Sequence, residues 1–426
     1  MEKVKKGRKK GTTDTLGESD ESIFIRLASE EHSTSFRELV DAKKAQFKIG
    51  TDYEFSKMVG IPNNTLVRLI DGETQKVDLF SILKVCQFLG IDINEMAEIF
   101  VASLDSEFIS ELSLATKANF ILRNFNLNAL KKIGFIKSTT DFKAIDRKIT
   151  RWFGIDTINQ YATDLPSTLF SKIKQYTPDE MRIMWIVGAI AQFRKLNNPH
   201  PYDREALLAL IPKIRPYTRD EEAGFVMVVR ALYRAGVTVI VQKYLANTAV
   251  KGACFVVDGK PCVVITNYRG KYSTLWFTLI HELYHVLFDL EALKSWNFHL
   301  SGEYDLSNDL FKEDMADSFA RDRLLPKARL DYIRPMIDTP AYVNEYAAKQ
   351  QVHPSIIYDM HCYEEKIKRG RDVYARYQHF FGSSEEAIRL IKTAPFDYES
   401  VYDGLDTVQR VYEFSPEQLN SNSPTF

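Results

Sequence analysis

"STLWFTLIHELYHVLFDL", Ser273–Leu290, sets an acid and two imidazoles inside an apolar run. Ser273 to Ile280 lead in without a charge, and Val286 to Phe288 are apolar again. The segment reads as a buried helix. His281 and His285 are four apart, so a helix places both rings on one face, one turn apart, spaced to grip a single cation. Glu282 then points to the side. Unpaired polar groups in such a helix cost roughly 2–7 kcal/mol each before compensation, and a metal ion satisfies them together. The pattern is H-E-x-x-H, in which the histidines bind zinc and the glutamate acts as base toward water.

A zinc site that works on a substrate needs a third protein ligand and one open position. The metzincin arrangement is excluded, because Phe288 and Glu291 stand where it requires glycine and histidine. His299 is available, but it falls in the polar stretch "SWNFHLSGEYDLSN", where a histidine is ordinarily at the surface. Glu313 is the better candidate on the gluzincin pattern. With Asp317 it lies four apart on one helical face, beside Ala316 and Ala320, whose small side chains allow close helix approach. Asp317 would then accept a hydrogen bond from a ligating histidine. Tyr268, Tyr284 and His299 are candidates for stabilising an oxyanion.

Working outward, "GVTVIVQKY" is β-branched, and "ACFVVDGKPCVVITN" is two apolar runs around Asp258-Gly259, a hairpin signal. "GACFVV" is expected as a cleft edge on which an extended substrate adds as a further strand. Upstream, "FNLNALKKIGF" and "DEMRIMWIVGAIAQFRKL" are helical, broken by "NNPHPYD". Nearer the N-terminus, short helical patterns alternate with the turn signals "VGIPNN", "IDGET" and "LGIDIN". The domains expected are a polar tail over 1–22, an all-helical domain over 36–100, a helical connector over 105–217, a metallopeptidase domain over 218–362, and a helical C-terminal extension over 363–426.

The formal net charge of −1 gives no global attraction to nucleic acid or anionic membrane, so any such binding must come from a local patch. No apolar run of about eighteen residues exists, which excludes a membrane span and favours the cytoplasm. Cys86, Cys254, Cys262 and Cys362 form no C-x-x-C and read as reduced core residues. The basic run from Lys3 to Lys10 has no aromatics and is no stacking platform; it would add only phosphate affinity.

From Leu207 to Cys362 the chain resembles the ImmA/IrrE family of bacterial and phage metallopeptidases. The matching pieces are "LYRAGVTVIV", "GACFVVDGKPCVVITN", "FTLIHELYHVLF", "EDMADSFARDRLLP" and "AKQQVHPSIIYDM". The resemblance implies a zincin core with His281, His285 and Glu313 as Zn2+ ligands and Glu282 as base. Tyr284 replaces the glycine of H-E-L-G-H, and Met315 and Asp317 stand where glutamate and asparagine are common.

The N-terminal domain resembles the XRE type of helix-turn-helix, with "DYEFSKMVG" as first helix, Gly60-Ile61 as turn and "PNNTLVRLIDG" as recognition helix. Val59, Ile61, Leu66, Leu69, Leu79, Leu83 and Leu89 would form its core. Asn63, Asn64 and Arg68 would enter the major groove of double-stranded DNA, and Lys57 and Lys76 would hold phosphates. Asp52 stands where this type usually has a glutamine near the DNA backbone. "FILRNFNLNALKKIGFI" and the stretch around "NNPHPYDREALLALIPKIRPYTRDEE" resemble the segment joining the two modules in fused proteins of this kind.

The expected fold is therefore α+β and mostly helical: an N-terminal all-α helix-turn-helix domain, a helical connector, and a zincin-like (gluzincin) core with a small β-sheet. The expected function is a DNA-binding regulator whose zinc-dependent endopeptidase cleaves a regulatory protein such as a repressor, with a homodimer as candidate assembly and no membrane partner. The alternative is a transcriptional regulator or antitoxin-like protein whose zinc site is structural or ligand-sensing.

Overall fold

A computed structural model of the chain describes residues 35–73, 78–93, 96, 106–161, 179–246, 248–296, 298–302 and 313–413. The expected tail over 1–22, Lys76, and the last part of the C-terminal extension lie outside them. The chain divides into two compact units, Met1–Thr116 and Lys117–Phe426. Each has its own hydrophobic core.

The first unit is helical: α1 Phe36–Gln46, α2 Asp52–Val59, α3 Asn63–Ile70 and α4 Leu79–Leu89. Local chemistry fixes the helix ends. Ser35 and Glu38 form a capping box at the start of α1, and the Thr51 and Asp78 side chains accept backbone N–H groups at the starts of α2 and α4. Gly60 closes α2 at φ 64°, in the left-handed region where glycine pays no steric cost. Phe55, Val59, Ile61, Leu66 and Leu69 are buried between the helices. Leu79 and Leu83 correct the expected core: they are 65% and 43% exposed. The inward stripe of α4 is Ile82, Val85, Cys86 and Leu89, a helical i, i+3, i+4, i+7 set that leaves both leucines on the outer side.

The principal helices that follow are α5 Ser106–Asn124, α6 Phe142–Phe153, α7 Glu180–Leu196 and α8 Gly224–Arg234. The strands β1 Thr238–Gln242, β2 Val250–Val257 and β3 Lys260–Thr266 come next, then α9 Tyr272–Phe288 and α10 Leu290–Trp296. Strand β4 Phe298–Gly302 precedes α11 Glu313–Leu324, α12 Pro340–Gln350, α13 Pro354–Arg369, β5 Lys392–Thr393 and α14 Leu405–Glu413. The sheet is mixed, in the order β4-β2-β3-β1-β5. Strands β2 and β3 form the antiparallel hairpin, and Asp258 and Gly259 at its tip both have positive φ, 53° and 76°, as a two-residue type I′ turn requires. Strand β1 runs parallel to β3 and to β5. The segment beyond residue 363, expected as helical, thus also supplies a strand. Two more expectations change. Strand β2 is not an edge, because β4 pairs along it antiparallel and takes the edge position. His299, expected in a surface loop, is buried on that strand.

Helix α9 is buried on nearly every side, which is why it carries apolar residues all round. Leu275, Trp276, Leu279, Leu283 and Val286 enter a core shared with β1–β3. Trp152 of α6 and Trp185 and Ile190 of α7, from the segment expected as a connector, join the same core. Helix α11 packs against α9 through Ala316 and Ala320, both fully buried, and this close approach brings Glu313 and Asp317 over the histidines.

Candidate metal centre and nucleic-acid interface

His281 and His285 project from α9 one turn apart, and their Nε2 atoms are 3.4 Å from each other. Glu313, at the first turn of α11, reaches between them: Oε2 lies 3.2 Å from His281 Nε2 and Oε1 lies 3.3 Å from His285 Nε2. From β4, His299 Nε2 comes within 2.9 Å of Glu313 Oε1. One donor atom from each of these four residues falls within 4.8 Å of all the others. Tetrahedral donors about 2.0–2.1 Å from a zinc ion stand about 3.3–3.4 Å apart, so the separations among His281, His285 and Glu313, 3.2 to 3.4 Å, match a small divalent cation.

The outer ring nitrogens support this. His281 Nδ1 is 3.0 Å from Asp317 Oδ1, and His285 Nδ1 is 2.8 Å from Asp289 Oδ2. A carboxylate at Nδ1 keeps the proton there and leaves the Nε2 lone pair pointing inward, the arrangement of metal-binding histidines. Arg321 donates to Asp317 at 3.1 Å and so fixes that carboxylate. Asp289 was not singled out in the sequence; its place four residues after His285 is the signal that could have found it.

The same contacts set the electrostatics. Burial opposes charge on His281, but hydrogen bonds with Asp317 and Glu313 outweigh it and push its pKa up to about 10. His285 is raised in the same sense: burial opposes, and Asp289 and Glu313 prevail. Burial would raise the Glu313 pKa, yet the three histidines hold it well below the carboxylate range. A cation entering the cluster displaces protons and takes over their role.

Glu282 is fully buried, and among the described residues neither of its carboxylate oxygens has a hydrogen-bond partner. Strand β2 passes directly over it at Gly252. A Cβ there would overlap Glu282 Oε1 and come within 2.8 Å of Thr278 Cγ2. A buried ionisable group left without partners is expensive and marks a functional candidate. Beside the cluster opens a cleft of about 390 Å³, with Tyr268, Arg269, Phe277, Ser301 and Tyr363 among its walls. Of the candidates for oxyanion stabilisation, Tyr268 lines this cleft and His299 sits among the donors. Tyr284 instead packs against Phe288 and Phe319.

In the first unit, α2, the turn at Gly60 and α3 form the helix-turn-helix. Asn64, Thr65 and Arg68 face outward on α3. Asn63 shares the inward stripe with Leu66 and Ile70: it is half-buried, and its Oδ1 is buried with no hydrogen-bond partner among the described residues. Thr65 is the outward residue that the sequence reading passed over. Lys57 is exposed, with Nζ 4.3 Å from the Tyr53 ring centroid. Asp52 is held by Arg37 at 2.8 Å and by Lys44 at 2.5 Å, so its charge is compensated within the unit.

Comparison with known proteins bears on this unit. Residues 45–100 match the family model of the Cro/C1-type helix-turn-helix DNA-binding domain. No curated protein and no solved structure matches the chain. The match makes the N-terminal unit a DNA-binding domain for double-stranded DNA. No helix among the described residues is long and apolar enough to cross a membrane.

Proposed function

We propose that the chain is a DNA-binding regulator whose second unit is a zinc-dependent endopeptidase of the ImmA/IrrE kind, acting on a regulatory protein such as a repressor. The observation that carries this reading is the convergence of His281, His285 and Glu313 beside a buried Glu282 whose carboxylate has no hydrogen-bond partner among the described residues. The order of the motifs along the chain supports it.

His281, His285 and Glu313 would hold the zinc. When bound, zinc polarises a carbonyl and lowers the pKa of water to roughly 7. The remaining work falls to the chain. Glu282 takes the proton of the attacking water and returns it to the departing amine. Asp317 and Asp289 keep both imidazoles in the required tautomer. Gly252 lets the strand close over Glu282, so that the carboxylate works away from bulk solvent. On the DNA side, Asn64, Thr65 and Arg68 offer base contacts, and Lys57 offers a phosphate contact. The exposed α4 residues Leu79, Phe80 and Leu83 support association of two copies on one DNA site.

The test is incubation of the purified chain with candidate repressors, with and without a chelator. Glu282→Gln should keep its zinc and fold but lose at least about 10²-fold in cleavage, because an amide cannot accept the proton. Cleavage by that variant at the wild-type rate would remove Glu282 from the chemistry. A second reading, a regulator whose metal site is structural or ligand-sensing, is favoured by His299, a fourth donor that a hydrolytic site does not need. Wild-type protein that binds zinc and cuts none of the candidates would support it.

A further inference from the structure

We infer that His299 is a fourth protein ligand of the metal, that the resting centre is closed, and that β4 occupies the position on β2 where an extended substrate would pair. The inference rests on the proposed metal site but not on the peptidase activity.

The geometry comes from the sheet. Strand β4 lies antiparallel to β2 in a register that sets His299 opposite Cys254 and Ser301 opposite Gly252, the glycine over Glu282. Alternate residues of a strand share a face. His299 and Ser301 therefore enter the site together, while Leu300 packs toward the apolar core. Ser301 Oγ is 3.3 Å from Nε2 of both His281 and His299. The His299 ring lies 4.3 Å, centroid to centroid, from that of His285. With its Nε2 2.9 Å from Glu313 Oε1, His299 belongs to the donor set by distance and by burial. Three imidazoles and one carboxylate fill a tetrahedron, whereas hydrolytic zinc sites leave one corner open.

Strand β4 also has the properties of a removable segment. It is five residues long and, among the described residues, stands at the edge of the sheet and pairs on one side only. Its ladder is broken by a bulge between Val250 and Gly252, beside Ser301. An extended peptide adding to β2 would have to take the hydrogen bonds that β4 now makes. The chain thus carries its own occupant of the pairing edge of β2, anchored by the His299–metal bond. Access for a substrate means release of that bond and of the pairing together.

The experiment uses the full chain loaded with Co2+, which reports its coordination by visible absorption. Wild type should bind about one Co2+ in a four-coordinate site, with a spectrum insensitive to added azide. His299→Ala should bind at least about 10²-fold more weakly, the upper end of the loss for groups that only support a ligand, and its spectrum should change with azide. Circular dichroism checks the fold of the variant. Should it fail to fold, X-ray absorption of the zinc-loaded wild type counts the imidazoles directly: three are expected, and two would overturn the assignment. Azide binding to wild type as readily as to the variant would overturn closure. Amide exchange over residues 298–302 should be slower in metal-loaded than in stripped wild type, and equal rates would remove the anchoring of β4. A wild type that binds no Co2+ would bring down the metal site and this inference together. Metal binding through two imidazoles would bring down this inference alone.

Discussion

At position 252 even a methyl group is too much, since a Cβ would overlap the Glu282 carboxylate. Gly252→Ala should therefore destabilise the second unit by about 1–3 kcal/mol, the usual cost of overpacking a filled interior. In a Glu282→Ala background the cost should shrink, with a remainder from the Thr278 methyl at 2.8 Å. Denaturant melts of the four proteins in this cycle measure it, and an equal cost in both backgrounds would show that the strand yields elsewhere. The reason for this glycine is invisible in the sequence, because it depends on which side chain of α9 the strand crosses. His281 and His285 were legible as a pair because their spacing is local to one helix. His299 was not. Its place follows from pairing between residue 254 and residue 299, and its neighbours in sequence are those of a polar loop.

At the scale of elements, α4 shows where leucine misleads and periodicity does not. Leu79 and Leu83 look like core residues, yet the inward set is Ile82, Val85, Cys86 and Leu89. Asp52 on α2 stands where a glutamine is usual near the DNA backbone, and Arg37 and Lys44 neutralise its charge. Lys44 is itself 8% exposed in its side chain, so Asp52→Ala leaves a nearly buried cation with the more exposed Asp41, at 3.2 Å, as its partner. The expected loss is about 1–2 kcal/mol, between an exposed pair and a buried one. Burial works to raise the Asp52 pKa, but Lys44 and Arg37 outweigh it and leave it depressed. Its stabilisation is thus complete above the unfolded carboxylate value of about 3.9 and fades as pH falls through the lower folded value. The gap between wild type and variant should be constant near neutrality and close in acid; a gap that widens in acid would reverse the sign. On α3, alanine at Asn64 or Arg68 should relax sequence preference by about 1–3 kcal/mol per bidentate contact, while Lys57→Ala should weaken all sequences alike. Selection from a random duplex pool at fixed salt, then titration of each variant, separates the two effects. Identical behaviour of Arg68→Ala and Lys57→Ala would mean that α3 does not read bases.

At the scale of the molecule, two cores with no residue in common should give two unfolding events in one chain. The metal cluster lies wholly within the second unit. A ligand that binds only the folded form stabilises it by about 2.7 kcal/mol at one hundred times its Kd, so zinc should raise one transition and leave the other in place. With its apolar core around α9 the second unit should fold without metal, so the zinc-free transition is expected to be lower rather than absent. Asp52→Ala should act on the complementary event, lowering the helix-turn-helix transition and sparing the metal-dependent one. Calorimetry of the full chain, with zinc and with chelator, in wild type and in Asp52→Ala, resolves both in four scans. If zinc moves both transitions equally, or if a single transition responds to zinc and to the substitution alike, the units unfold as one. DNA binding should then change with metal occupancy. If the transitions separate as expected, stripping the metal should leave DNA affinity at its zinc-loaded value, and any coupling between DNA binding and the proposed cleavage must run through the cleaved protein.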